Sequence, residues 1–313
     1  MASLPTLELA REAVRYGHRN RVPVLLDVRD LWPDAIHQLV PAALRPLSRA
    51  ALYWLKRTAT TALRGCTGII GISRGYLDWG LRYADRPQGN FDGLFPLGYV
   101  APSVDEQQLA AAESRLRNCG VDPERTLCWY VGSFGRQYDL EPILTAAAAL
   151  EQIGRADVQF VISGEGEQGP RWRALGANLK NVVFTGWIAG AEIGWLRSHA
   201  AIGLQPYVLG APQGLANKLF EYLSAGIPVL SSLSGENATL IAENQCGLSY
   251  MAGDTESFTR QLLQLLDAPQ ARREMGRRAG ALFRQRFDSG SVVHGLADHL
   301  EFVARNWAPA TQL

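Results

Sequence analysis

The sequence predicts an α/β protein built as two doubly wound parallel sheets, the first of them incomplete. Three observations predict this. From residue 126 onward, short apolar runs alternate with helical segments at the close spacing that demands parallel strands covered on both faces. Six such runs fill one doubly wound domain. Before residue 104 the same pattern occurs but with fewer strands, and a length of 313 residues leaves room for two domains.

The elements follow in order. The first twenty residues place Glu8, Arg11, Glu12, Arg15 and Arg19 on a helical pattern that lacks the apolar core of a signal peptide. A strong strand is expected over 22–28 (VPVLLDV), a second over 68–72 and a weaker extended piece over 93–100. Between them, 45–65 sets Leu47, Ala51, Leu52, Leu55 and Leu63 among Arg45, Arg49, Lys56, Arg57 and Arg64. Such a helix can lie in a membrane interface or pack its apolar face on the sheet, and both readings stay open. Residues 101–122 read as the connection between domains. Strands are expected over 127–131, 158–162, 182–185, 201–205, 228–231 and 247–251, with helices over 140–152, 170–179, 191–198, 215–225 and 237–243 between them. The tail from Thr255 is helical, with Phe258, Leu262, Leu265 and Leu266 on one face and a basic turn at Arg272, Arg273, Arg277 and Arg278.

Composition removes several functions. A content of 47% hydrophobic and 19% charged residues marks a globular chain, and a net charge of +1 gives no electrostatic case for nucleic acid. Cys66, Cys119, Cys128 and Cys246 form no C-x-x-C pair, and the five His residues form no H-x-x-x-H, so neither a disulfide framework nor a metal site is indicated. Scattered cysteines suit a reducing compartment, and no window supplies the ~20 apolar residues of a membrane span.

The stretch FVISGEGEQG spells G-x-G-x-x-G through Gly164, Gly166 and Gly169 and follows an apolar strand, as a dinucleotide-binding loop does. Two features oppose that reading. Glu165 and Glu167 would repel a pyrophosphate at close range, and NVVFTGW, about 20 residues on, ends in no acid for a ribose. The alternative is a tight strand-to-helix turn, with Pro170 opening the helix.

More chemistry lies in QGLANKLFEYLSAGIPVLS (213–231). Lys218 and Glu221 stand three apart near the start of an amphipathic helix, at the end that faces the carboxyl ends of the strands, where ligands bind in an open parallel sheet. A carboxylate there can accept two hydrogen bonds from a ribose diol, and an ammonium can hold phosphate charge. Read without its neighbours, Glu221 could equally be a solvated helix carboxylate.

NKLFEYLSAGIPV resembles the nucleotide-sugar motif of family 4 retaining glycosyltransferases, which have the GT-B fold of two Rossmann-like domains. YVGSFG (130–135) looks like the phosphate-loop turn of their donor domain, FVISGEG, NVVFTGW and AIGLQPY match successive strand ends, and LLDVRDLWPD (25–34) is similar to an acceptor-domain strand of members that build bacterial surface polysaccharides. The resemblance implies a partial acceptor-binding domain over 1–103, a donor-binding domain over 104–290 and a C-terminal helix over 291–313 packing back on the first domain. It places Arg29, Asp30, Arg136 and Lys218 at the reacting groups. It gives donor contacts to Gly132, Ser133, Gly135, Gly164, Gly166, Trp187, Gln213, Gly214, Leu215 and Glu221. Where relatives carry E-x7-E, Glu221 fills the second place and Gln213 stands at the first. Arg29 stands where many have His, and its alternative is an ion pair with Asp30. Trp32 and Trp187 read as packing aromatics, Trp187 also as a neighbour of the nucleobase.

The resemblance implies transfer of a sugar from a UDP- or GDP-sugar to a glycan or lipid-linked saccharide with retention. No metal or other cofactor is expected. The implied place is cytoplasmic, at the inner face of the membrane if the 45–65 helix lies there. The short first domain raises a second reading, a nucleotide-sugar-binding fragment or partner subunit that binds donor but transfers poorly unless a complementing N-terminal polypeptide supplies the missing strands. A nucleotide-sugar epimerase and the dinucleotide oxidoreductase are the remaining rivals.

Overall fold

The computed structural model describes residues 1–40, 51–211 and 214–308. Arg45, Leu47, Arg49 and Gln213 therefore lie outside the described residues. The chain divides into two compact units, Met1–Gly98 with Ser289–Leu313, and Tyr99–Asp288.

The first unit holds a parallel sheet in the order β1 (Ala2–Leu4), β2 (Leu25–Val28), β3 (Gly68–Gly71), β4 (Gly93–Leu94). Strands β2 and β3 are buried along their whole length, and alternate residues serve opposite faces. Leu26, Val28 and Ile69 face one apolar cluster together with Val14, Ala59 and Leu63. Leu25 and Ile70 face the other way, against Phe95, Leu300 and Val303. The helix Leu7–Asn20 buries Leu7, Ala10, Val14 and Gly17 at helical spacing and turns its charged residues outward. The helix Tyr53–Gly65 buries Ala59, Ala62 and Leu63, so this part of the 45–65 segment does pack its apolar stripe into the core. Its first turn does not: Tyr53 is 55% and Trp54 72% exposed. The final helix, Ser289–Asn306, closes the second face of this sheet through Val303. The extended piece expected over 93–100 reduces to β4 and one parallel bridge from Tyr99 to Asp288.

The second unit contains β5 (Thr126–Val131), β6 (Val158–Ser163), β7 (Val182–Gly186), β8 (Ala200–Gln205), β9 (Val229–Ser231) and β10 (Gly247–Ser249), all paired parallel in the order β10-β9-β8-β5-β6-β7. Leu127, Trp129 and Val161 point into one helical layer, while Cys128, Tyr130, Phe160 and Ile162 point into the other. The helix Glu106–Asn118 falls inside a segment read from sequence as interdomain connection. It starts in a full capping box between Asp105 and Gln108 and packs on the helix Gly190–His199 within this unit.

The glycine-rich stretch after β6 fastens two loops together. The Gly132 amide donates to the Ser163 carbonyl at 3.0 Å, Phe134 to Glu165 at 2.8 Å and Gly164 to Gly186 at 2.9 Å. Gly164 has φ +147°, and a Cβ there would lie 1.8 Å from the Gly132 carbonyl oxygen. Gly154 also has positive φ, +77°, but open space around it. Gly164→Ala is accordingly expected to destabilise the protein by on the order of 3 kcal/mol or more, against about 1 kcal/mol for Gly154→Ala. Urea unfolding of the two variants checks this, and equal losses would show that the loop contact carries no weight.

Candidate functional site

The sheet order places the site. The chain lays down β5, β6 and β7 in one direction and then crosses to the far side of β5 for β8, so the carboxyl ends of β5 and β8 diverge into a crevice. A cavity of about 430 Å³ occupies that crevice, and all of its lining lies in the second unit. Val131 and Gly132 come from the end of β5, Tyr138 from the following loop and Tyr207 from beyond β8. Leu215, Ala216, Asn217, Lys218 and Glu221 come from the start of the helix Asn217–Ser224, and Tyr99 opens the unit.

Lys218 is 7% exposed, and its Nζ has no hydrogen-bond partner among the described residues. Instead it lies 3.5 Å from the ring centroid of Tyr138, 4.7 Å from that of Tyr130 and 5.2 Å from that of Tyr207. A Cβ on Gly132 would stand 2.9 Å from this nitrogen, so the bare backbone of the turn is what lets the ammonium approach. Burial pushes the ammonium well below the usual lysine range. Three aromatic faces offset only part of that loss of hydration. Among the described residues no hydrogen-bond partner offsets the rest.

Glu221, one helical turn on, is the opposite case. Its side chain is 12% exposed and each oxygen has one donor: Arg197 Nη1 donates to Oε1 at 2.9 Å, and the Tyr99 hydroxyl donates to Oε2. The solvated carboxylate considered as its alternative is thereby ruled out for this side chain.

The other candidates fall in three places. Leu215 and Gly132 share the cavity with Lys218 and Glu221. Ser133 gives its carbonyl to the Tyr130 hydroxyl at 2.7 Å, Gly135 gives its own to the Tyr138 amide, and Gly164 and Gly166 pack against the 132–134 turn, all beside the cavity rather than among its lining. Gly214 likewise is not part of the lining. Trp187 is 72% exposed, not a packing aromatic, and its carbonyl accepts from Arg115 Nη2 at 3.0 Å; Trp32 is 40% exposed. Arg136 does not reach the cavity. It forms a forked pair with Glu167, Nε and Nη2 at 3.1 and 2.6 Å from Oε1, on a side chain 79% exposed in a neighbouring depression. In the first unit, Arg29 sits just beyond β2 and pairs with the buried Asp27 at 2.5 Å, not with Asp30. Asp30 accepts the Leu31 amide at 2.7 Å.

Among the groups that contact Lys218 and Glu221, the sequence did not single out Tyr99, Arg197, Tyr138 and Tyr207. Only the tyrosine of AIGLQPY stood inside a recognised stretch. Among the described residues no group of three His, Cys, Asp or Glu could hold a metal, and no helix is long and apolar enough to cross a membrane.

Residues 125–268 match the family model described as Glycosyl transferases group 1, a span that runs from β5 past β10. No curated protein matches the chain. Among solved structures, HepE from Anabaena, determined in complex with UDP, superposes with a TM-score of 0.68 at 13% identity, over 96% of this chain and 78% of its own. Sucrose-phosphate synthase from Thermosynechococcus elongatus gives 0.62 at 18% identity over 93% and 71%. WaaG, a glycosyltransferase involved in lipopolysaccharide biosynthesis, gives 0.59 at 19% identity over 88% and 75%. The fold is GT-B, as the resemblance implied.

Proposed function

We propose that this protein is a retaining glycosyltransferase that takes a sugar from a UDP- or GDP-sugar and delivers it to a saccharide hydroxyl. The observation that carries the reading is the pairing, in one cavity at the switch point of the sheet, of a buried ammonium that has no hydrogen-bond partner among the described residues with a carboxylate one turn away. A nucleoside diphosphate is complementary to both. Its phosphates meet Lys218 beside Gly132, and its ribose hydroxyls meet Glu221. As the bond from the anomeric carbon to the diphosphate breaks, negative charge grows on the leaving oxygens. Lys218, in a site sheltered from water, stabilises that charge more than it stabilises the bound donor. Arg136 would add to this only by leaving Glu167.

The match of residues 125–268 to the group 1 glycosyltransferases supports the reading, as does the likeness in fold to HepE, which was crystallised with UDP. We assign Arg29 and Asp30, at the carboxyl end of β2, to the acceptor side, in a first unit that serves the acceptor. Exposed Tyr53 and Trp54, next to Lys56 and Arg57, support an acceptor carried on a lipid at the cytoplasmic face of a membrane.

The test separates binding from transfer. Purified protein is incubated with radiolabelled UDP- and GDP-sugars, with and without a membrane lipid extract, and both donor affinity and labelled glycolipid are measured. Binding followed by transfer to lipid with the anomeric configuration kept is the expected result. Binding without transfer would leave only a nucleotide-sugar-binding subunit, and conversion of the donor without an acceptor would point to an epimerase.

A further inference from the structure

Glu221 is held by two groups from distant parts of the chain. Arg197 lies 24 residues before it and Tyr99 lies 122 before it. Each takes a different oxygen: Arg197 donates to Oε1 and Tyr99 to Oε2. Both donors are themselves anchored. Arg197 Nη1 also reaches the Ser224 hydroxyl at 2.6 Å, and that hydroxyl donates to the Glu221 carbonyl at 2.8 Å, closing a ring around the last turn of the helix. Tyr99 is fixed through its amide, which donates to the Phe287 carbonyl at 2.9 Å, and through its ring, edge-on to Phe283 with centroids 6.0 Å apart. Burial, with the neighbouring Glu221 carboxylate, pushes the Tyr99 phenol above its usual range, so it stays a neutral donor.

We infer that Tyr99 and Arg197 are positioning residues that set the Glu221 carboxylate for a ribose diol, one through each oxygen. The inference rests on the reading that Glu221 receives the ribose of the donor. A carboxylate oxygen accepts along two lone-pair directions, so one donor on each oxygen leaves one free direction on each. Two free directions on one rigid carboxylate match two adjacent hydroxyls. A glutamate free to rotate about its three side-chain torsions would lose that match, or would have to give up the rotational freedom at the moment of binding. Here the freedom is given up when the protein folds. Tyr99 and Glu221 both line the cavity, so the restraint acts at the ligand and not behind it.

The consequence is selectivity for ribose over deoxyribose that depends on a hydroxyl outside the signature helix. The test uses the full chain and isothermal calorimetry with UDP, GDP, 2′-deoxy-UDP and 2′-deoxy-GDP on wild type, Tyr99→Phe and Arg197→Lys, with thermal unfolding of each. Wild type is expected to prefer the ribonucleotides. Tyr99→Phe keeps the ring and its packing, and is expected to lose about tenfold in ribonucleotide affinity with a much smaller loss for the deoxy forms, so that the preference shrinks. Arg197→Lys keeps the charge but, with a shorter side chain, moves the donor nitrogen away from its place between Glu221 and Ser224, and is expected to shrink the preference in the same direction. A folded Tyr99→Phe variant that keeps the wild-type preference, or binds ribonucleotides more tightly, overturns the inference while leaving Glu221 as the ribose group. A wild type that binds ribo and deoxy forms equally overturns the ribose reading of Glu221 and the inference with it.

Discussion

Lys218→Met is expected to abolish the pocket's preference for a nucleoside diphosphate over its nucleoside and, in the same protein, to raise the unfolding temperature. Both effects come from one atom. The Nζ is buried among three tyrosine rings with no hydrogen-bond partner among the described residues, and a buried polar group in that state costs about 1 to 3 kcal/mol. Methionine fills nearly the same volume without the charge, so the folded state gains and the midpoint rises by about 2 to 4 °C for each kcal/mol in a unit of this size. The phosphate loses its charge-assisted contact, worth about 1.5 to 3 kcal/mol, or roughly a ten- to hundredfold drop in affinity. The pH dependence of wild type has a definite sign. Burial lowers the lysine pKa in the empty pocket, and a bound diphosphate draws it back up. Affinity is full below the empty-pocket pKa and falls as pH rises from there to the bound-state pKa. Binding in that window takes up a proton, which calorimetry in two buffers of different ionisation enthalpy measures directly. A Lys218→Met variant with an intact diphosphate preference would place the phosphates elsewhere.

Glu221→Ala is expected to cost nucleoside diphosphate affinity about 1.5 to 3 kcal/mol, and to cost stability as well, because Arg197 is left beside Ser224 without its carboxylate. The second loss separates this residue from Lys218, whose removal stabilises. Glu221→Gln tells shape from charge: the amide keeps an oxygen and a nitrogen in place, so the fold should suffer less while the diol still meets a weaker acceptor. Calorimetric affinity and thermal unfolding, measured on all three proteins, check the pattern. Unchanged affinity in a folded Glu221→Ala variant would remove this side chain from the site.

The sequence carried the fold well where elements are long and periodic. All six strands of the second sheet coincide with mainly apolar runs, because parallel strands covered on both faces bury most of their side chains; polar exceptions such as Gln159, Ser163, Gln205 and Ser231 are buried and hydrogen-bonded. Strand β1 escaped notice since three residues are too few to show any period. The site was legible in the same graded way. Lys218 and Glu221 sit on one helix turn, so their spacing alone puts them together. Their surroundings do not follow from spacing. The tyrosine cage is gathered from the end of β5, the loop after it and the segment after β8, and Tyr99 reaches Glu221 across 122 positions. Arg136 shows the converse limit of proximity in sequence: it adjoins the glycine turn, but Glu167, 31 residues on, offers a forked partner at the surface. Neither a long-range donor nor a long-range competitor leaves a mark in a local motif.

The two passages of the chain between the units have a consequence of their own. The chain leaves the first unit after Gly98 and re-enters it at Ser289, and these two residues are neighbours, a Cβ on Gly98 falling 2.7 Å from the Ser289 Cα. On the other side Tyr99 is joined to Phe287 and Asp288 by a main-chain hydrogen bond and a parallel bridge. The 99–288 stretch is thus an insert whose beginning and end meet. Topologically it can be lifted out whole, with Gly98 spliced to Ser289 in the remainder and its own ends linked and reopened elsewhere. In such an arrangement a change of the inserted unit requires no redesign of its host, since only one doorway has to be matched.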